Sequence, residues 1–254
     1  MNVDGHAAIV TGGASGMGAE TARALATAGA KVAVMDVNKS ALEEVAGRIG
    51  GVAVECDVTS ADSAEAAVAE AKAAHGAARV LVNCAGIAPA KRIVGRDGPM
   101  PLEDFTRVIN VNLVGTFNMM RLVAADLYKE EALDEIGERG IIINTASVAA
   151  FEGQVGQAAY SASKGGIVSL TIQAARDLSG MGIRVMTIAP GFIATPMLLG
   201  MPQEVQDSLA AQTPFPKRFG RADEYSGLVM HIIGNQMLNG EVIRLDGAAR
   251  MQAR

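Results

Sequence analysis

Short apolar runs recur along the chain, each ending in small or polar turn residues before a longer stretch of helix formers. His6–Thr11 halts at Gly12-Gly13-Ala14-Ser15-Gly16-Met17-Gly18, and Ala19–Ala28 follows with helical composition. The alternation continues with a strand over Lys31–Met35 ending at Asp36, a helix over Ala41–Ile49, a strand over Val52–Cys56 and a helix over Ala61–His75. Val80–Asn83 reads as the fourth strand, Gly86–Pro101 as a loop, and Leu102–Tyr128 as one long helix. Ile141–Ala146 reads as a core strand that delivers Ser147, and a helix then carries Tyr160 and Lys164. Ile183–Ala189 and Glu241–Leu245 complete seven strands, with a helix near Ala222–Ile233 between them. Strands alternating with helices predict an α/β fold of Rossmann type, a doubly wound parallel seven-stranded sheet with helices on both faces. No linker or sharp change of composition divides it, so residues 1–254 are expected to form a single domain.

Charge and composition narrow the partners. Twenty-seven acidic residues against 22 basic ones leave a net charge of −5 with no long basic block, which argues against nucleic acid. No apolar run approaches the ~18 residues of a membrane span, so no membrane partner is expected. The first strand starts almost at Met1, which leaves no room for a signal or transit peptide and predicts a cytoplasmic protein. Cys56 and Cys84 each close an apolar run without C-x-x-C spacing, and both read as buried free thiols.

Tyr160 and Lys164 stand four residues apart, on one face of their helix. A tyrosine hydroxyl titrates near ~10, too high for a proton acceptor at neutral pH unless a fixed cation stabilises the phenolate. Lys164 supplies such a cation, and Ser147 adds a neutral hydrogen-bond donor for the same substrate oxygen. Gly12, Gly16 and Gly18 lie between the first strand and first helix, where backbone N–H groups, with Ser15 and Met17 beside them, suit a pyrophosphate. Asp36 ends the second strand, placed to accept both hydroxyls of an adenine ribose and to repel a 2′-phosphate. That favours NAD over NADP, although Lys39 lies nearby. Asp57 and Val58 follow the third strand at the expected adenine. Asn83, with Cys84, Ala85 and Gly86, ends the fourth, and Asn83 serves either a ligand or the tie between strands. Pro190, Gly191 and Thr195 follow the sixth strand, where a backbone turn can hold a nicotinamide amide.

His6, His75 and His231 lie beside no motif, so neither a Ser-His-Asp hydrolase nor a histidine metal centre is supported, and no metal is expected. G-x-S-x-G is missing around Ser147, which disfavours the nucleophile-elbow hydrolases.

These residues resemble the short-chain dehydrogenase/reductase family from about His6 to Met251. The resemblance implies hydride transfer in which Tyr160 exchanges the alcohol proton, Lys164 lowers its pKa and holds the nicotinamide ribose, and Ser147 orients the carbonyl. It also implies that Asn112 anchors a water that continues the proton path; without it Asn112 reads as a buried hydrogen-bonding asparagine. Asn144-Thr145-Ala146-Ser147 through Gln154, and Asn239-Gly240-Glu241 through Gly247, are similar to the type II 3-hydroxyacyl-CoA dehydrogenase branch. That branch uses NAD, acts on acyl-CoA thioesters and in some members hydroxysteroids, and is typically tetrameric through the helices of Asn112 and Tyr160. Ala248 departs from its pattern, where a second glycine often follows Asp246-Gly247.

Residues 6–86 are therefore expected mainly to bind the cofactor and residues 192–220 to cover a small-molecule substrate. Met197, Leu198, Leu199, Met201, Phe215 and Phe219 in that second segment read either as a lid or as ordinary core under a loop. Lys91, Arg92, Arg96, Lys217, Arg218 and Arg221 either meet CoA phosphates or form a solvated rim. The competing expectations are a hydroxysteroid dehydrogenase, a 3-oxoacyl reductase, and a non-catalytic scaffold that binds NAD without turnover.

Overall fold

The computed structural model describes residues 1–253; of Met197 it describes the backbone but not the side chain. The alternation read from the sequence is realised as β1 (Ala7–Thr11), α1 (Gly16–Thr27), β2 (Lys31–Asp36), α2 (Lys39–Ile49), β3 (Val52–Glu55), α3 (Ala61–His75) and β4 (Ala78–Asn83). After a short hairpin, β5 (Val94–Gly95) and β6 (Gly98–Pro99), come α4 (Leu102–Ile109), α5 (Gly115–Leu127), β7 (Gly140–Thr145), α6 (Ala158–Ser179) and β8 (Ile183–Pro190). The chain continues through α7 (Pro196–Leu199), α8 (Gln203–Ala211), α9 (Ala222–Gly234) and β9 (Val242–Leu245).

Seven strands pair in the order β3-β2-β1-β4-β7-β8-β9, each neighbour parallel. Strand order reverses between β1 and β4, and a crevice opens there beyond the carboxyl ends of the strands. The strands are apolar without alternation because both faces are covered. Ile9, Met35, Leu81 and Ile142 pack into one core, whereas their chain neighbours Val10, Val34, Val82 and Ile143 pack into the other. That split is the period-two geometry of a strand. At ~25 cal/mol per Å² of apolar area, the two cores are the main favourable contribution to stability.

Three features differ from the sequence reading. The helix expected over Leu102–Tyr128 is interrupted at Asn110–Val114 by a π-turn, which joins α4 to α5. By length and composition, Leu102–Leu127 could cross a membrane, contrary to the expectation that no run could; half of its most apolar window is buried inside the protein. The loop Gly86–Pro101 contains the hairpin, and 192–220 contains α7 and α8.

Candidate active site

The crevice is a cleft of about 660 Å³ whose wall runs from Gly12 and Asp36 to Ser147, Tyr160 and Lys164. At one end, Gly12 takes φ +63°, and a Cβ there would lie 2.6 Å from Ala85 N. A Cβ on Gly18 would lie 2.1 Å from Gly12 O. The β1–α1 turn therefore presses against the β4 loop and against itself, and only glycine permits both approaches. Ser15 caps α1 without a side-chain bond to the helix and faces the cleft, as do Gly16 and Met17. The first amides of α1 have no intrahelical acceptor, so the turn offers an anion unpaired N–H groups. Thr195 closes the cradle from the other side, its Cγ2 3.3 Å from the position of a Gly16 Cβ.

Asp36 is fixed by the amides of Ala14 (3.2 Å to Oδ2) and Asn38 (3.0 Å to Oδ1) and lines the cleft. Each carboxylate oxygen keeps a lone pair for a further donor. Asp57 and Val58 line the same end just beyond β3, and Asp57 accepts from Thr59 N and Oγ1. Pro190, Gly191, Ala85 and Gly86 also contribute to the wall.

Asn83 and Asn112 are placed differently. Asn83 donates to Asn144 Oδ1 at 2.9 Å and accepts from Thr11 Oγ1, so its side chain ties β1, β4 and β7 and does not line the cleft. Asn112 is fully buried in the π-turn. Its Nδ2 donates to Ile87 O and Ser163 Oγ, and its Oδ1 accepts from Ile87 N. It thereby joins the loop after β4 to α6 at Ser163, the residue before Lys164, and both amide protons are committed.

Ser147 ends β7 in extended backbone and its Oγ accepts from Ala149 N at 3.1 Å. Lys164 is 4% exposed; its Nζ donates to Thr145 O at 2.6 Å and stands 5.8 Å from the Tyr160 ring centre. Burial pushes the ammonium from its ordinary value down to about 8, with Cys84 acting weakly the other way. Burial also raises the Tyr160 phenol, and the Ser147 side chain pulls it partly back. The depressed phenol expected beside Lys164 is thus not what the protein's own groups produce: the ammonium is directed to Thr145 O, and desolvation outweighs the hydrogen bond from Ser147.

Cys56 is buried and its thiol is pushed up to about 11. Cys84, expected to be buried, is half-buried and lines the cleft between Gly12 and Ala85. In the covering segment Leu198 and Met201 reach the cleft, joined by Leu209 of α8. Phe215 is 82% exposed and Leu199 is exposed, so neither covers it, while the Met197 side chain lies outside the described residues. Lys91 pairs with Asp104, Arg218 with Glu224 and Arg221 with Asp223, so these three cations are engaged in solvent-accessible ion pairs, and none of them lines the cleft. Val37, Gln154, Gln157 and Met251 also line the cleft. Val37 could have been found as the neighbour of Asp36, whereas Met251 belongs to no motif.

A glycine cradle, an acidic residue at the end of β2 and a Ser-Tyr-Lys set at the end of β7 define a dinucleotide-dependent oxidoreductase. The chain belongs to the short chain dehydrogenase family, whose profile matches residues 6–205. It is 54% identical to the human protein named 3-hydroxyacyl-CoA dehydrogenase type-2, over 99% of this chain and 97% of that one. It is 33% identical to the 3-oxoacyl-[acyl-carrier-protein] reductase FabG of Thermotoga maritima, over 97% and 98% of the two chains. The crystal structure of 3-hydroxyacyl-CoA dehydrogenase type-2 from Mycobacterium avium superposes with a TM-score of 0.93 at 44% identity, covering 98% of each chain.

Proposed function

We propose that the protein is an NAD-dependent dehydrogenase that interconverts 3-hydroxyacyl-CoA and 3-oxoacyl-CoA, with Tyr160 as the acid/base. The observation that carries this reading is the convergence of Ser147, Tyr160 and Lys164 on the cleft that the glycine cradle opens into. The 54% identity to proteins named for that activity supports the substrate class.

The residues present fit the dinucleotide: a Cβ at Gly12 or Gly18 would fill space that backbone must approach closely, and Asp36 is held rigidly with lone pairs to spare. Gly12, Ser15, Gly16, Met17, Gly18 and Thr195 would hold the pyrophosphate. Asp36 would hold the adenine ribose, favouring NAD, and Asp57 with Val58 would border the adenine. Ala85, Gly86, Pro190 and Gly191 would border the nicotinamide side. NAD, when bound, supplies the hydride acceptor. Tyr160 Oη takes the proton of the substrate hydroxyl in oxidation and returns it in reduction. Ser147 Oγ–H donates to the same oxygen and orients it, and Lys164 stabilises the phenolate as a positive charge held in a site of low polarity. Asn112 positions the loop of Gly86 against α6; a proton-relay water would use its remaining carbonyl lone pair. Asn83 acts on the cofactor only through the strand ends it ties.

Phe117, Tyr128, Leu170 and Met181 line an apolar groove of about 410 Å³ between α5 and α6, with Phe117 and Tyr128 exposed, which supports assembly as a homotetramer through those helices. The function is tested by following NADH absorbance with 3-hydroxybutyryl-CoA and, in parallel, a 17β-hydroxysteroid, and by comparing NADH with NADPH in the reverse direction. Turnover of the thioester with preference for NADH is expected. Turnover of the steroid alone, or preference for NADPH, overturns the substrate or the cofactor half respectively.

A further inference from the structure

The chain's last described residues form a strap across the loop that separates Ser147 from Tyr160. Met251 N donates to Glu152 Oε2 at 3.2 Å, Gln154 Nε2 to Gln252 O at 3.0 Å, and Val155 N to Ala253 O at 3.0 Å. A charged clip holds the base of this strap. Arg244 of β9 is bidentate to Glu152 (2.7 and 3.1 Å), donates to Asp246 at 2.7 Å, and lies over the Phe151 ring at 5.2 Å. Arg250 adds contacts to Glu152 and Asp246 at 3.5 and 3.2 Å. Arg244 holds the Glu152 carboxyl below its ordinary range, so the clip is charged at neutral pH. The arrangement delivers one side chain to the site: Met251 is half-buried and lines the cleft with Gln154, Gln157, Leu209 and Met201.

We infer that Met251 is a specificity-determining residue, the wall against which the far end of the substrate's acyl chain packs, and that the Glu152–Arg244 clip is the positioning device that sets its depth. The inference rests on the acyl-thioester reading above. Three physical points carry it. The strap bonds to the segment between the two catalytic residues, so its side of the cleft is that of the substrate and not that of Asp36. Of its four partners in the wall, Leu209 and Met201 are apolar, as a hydrocarbon chain requires, and Gln154 and Gln157 are the polar ones. A thioether on an unbranched stem fills an irregular apolar space and yields to modest changes of ligand length, which suits a chain-length stop.

The test is the ratio of kcat/KM for 3-hydroxydodecanoyl-CoA to that for 3-hydroxybutyryl-CoA, measured with NAD. Removing methylene-sized groups from an apolar pocket changes discrimination by about tenfold or more. Met251→Ala should therefore raise the long-to-short ratio about tenfold, and Met251→Trp should lower it by a similar factor. Glu152→Ala, which releases the strap without touching the reacting atoms, should move the ratio in the direction of Met251→Ala, through KM rather than kcat. Ratios within twofold of the unmodified enzyme in both Met251 variants overturn the inference. If the unmodified enzyme oxidises neither thioester, the acyl-CoA reading fails by itself. The same ratio is then read on 2-dodecanol against 2-butanol, where a shift still supports Met251 as the chain stop and constancy still overturns it.

Discussion

Lys164 gives a stability prediction whose sign follows from its burial. It is 4% exposed, and burial lowers its ammonium from an ordinary 10.5 to about 8. Because the folded chain releases this proton more readily than the unfolded chain, folding carries a penalty that is complete below pH 8 and fades to nothing by about 10.5. At ~1.4 kcal/mol per pH unit, the fall amounts to about 3 kcal/mol. Lys164→Met removes the penalty but also removes the donor to Thr145 O at 2.6 Å. Losing that charged bond costs about 1.5–3 kcal/mol, so at pH 7 the two effects nearly cancel. Their pH dependence does not cancel. Urea unfolding of both proteins without cofactor, at fixed protein concentration from pH 7 to 10.5, should show the wild type gaining stability relative to Lys164→Met above pH 8, by up to about 3 kcal/mol. Groups common to both chains drop out of the difference. A flat difference refutes the account of a desolvated ammonium, and a falling one would mean that Lys164 is stabilised in its charged form by a partner within the fold.

Tyr160→Phe should abolish turnover, at least about 10³-fold if proton transfer is its role, while NADH binding by fluorescence stays intact; retained turnover removes Tyr160 from that role. Gly18→Ala would put a Cβ 2.1 Å from Gly12 O, so NAD affinity measured by calorimetry should fall at least about tenfold or the fold should loosen; unchanged affinity contradicts the cradle. Glu138→Gln breaks a buried pair with Arg184, at 2.8 Å and with both residues under a tenth exposed, in which Arg184 also donates to the carbonyls of Ile232, Ile233, Asn235 and Leu238. Urea unfolding should show a loss of about 3–5 kcal/mol, with the NAD Kd unchanged.

The sheet was legible because each strand carries its own evidence. Ile142 and Ile143 enter opposite cores whatever the neighbouring strand does, so a short apolar run bounded by turn residues is enough. Tyr160 and Lys164 were legible for the same reason, since i, i+4 spacing on a helix is local geometry. The π-turn at Asn110–Val114 was not, because its cause lies in another element. Gly166 of α6 leaves room for Leu113, whose Cδ2 would stand 2.6 Å from a Cβ at that glycine, and Asn112 must reach both Ile87 and Ser163. These contacts from two sides favour a widened turn that the residue pattern of 102–128 does not encode.

Position along the chain explains the remaining differences. Burial raises the Tyr160 phenol, and Lys164 does not offset it, because its Nζ is held by the carbonyl of Thr145, delivered by a strand and not by the helix the two residues share. Spacing reports that a cation is near; it does not report which acceptor holds it. The wall of the cleft follows the same logic. Met251 reaches it because Glu152, far away in sequence, accepts its amide and is itself held by Arg244. Phe215, inside the segment expected to cover the substrate, turns to solvent. The groups proposed to transfer the proton thus stand at positions local to two elements, the end of β7 and α6, whereas those proposed to measure the substrate are brought together by contacts between distant segments. Selectivity should accordingly be easier than chemistry to change by substitutions outside the motifs.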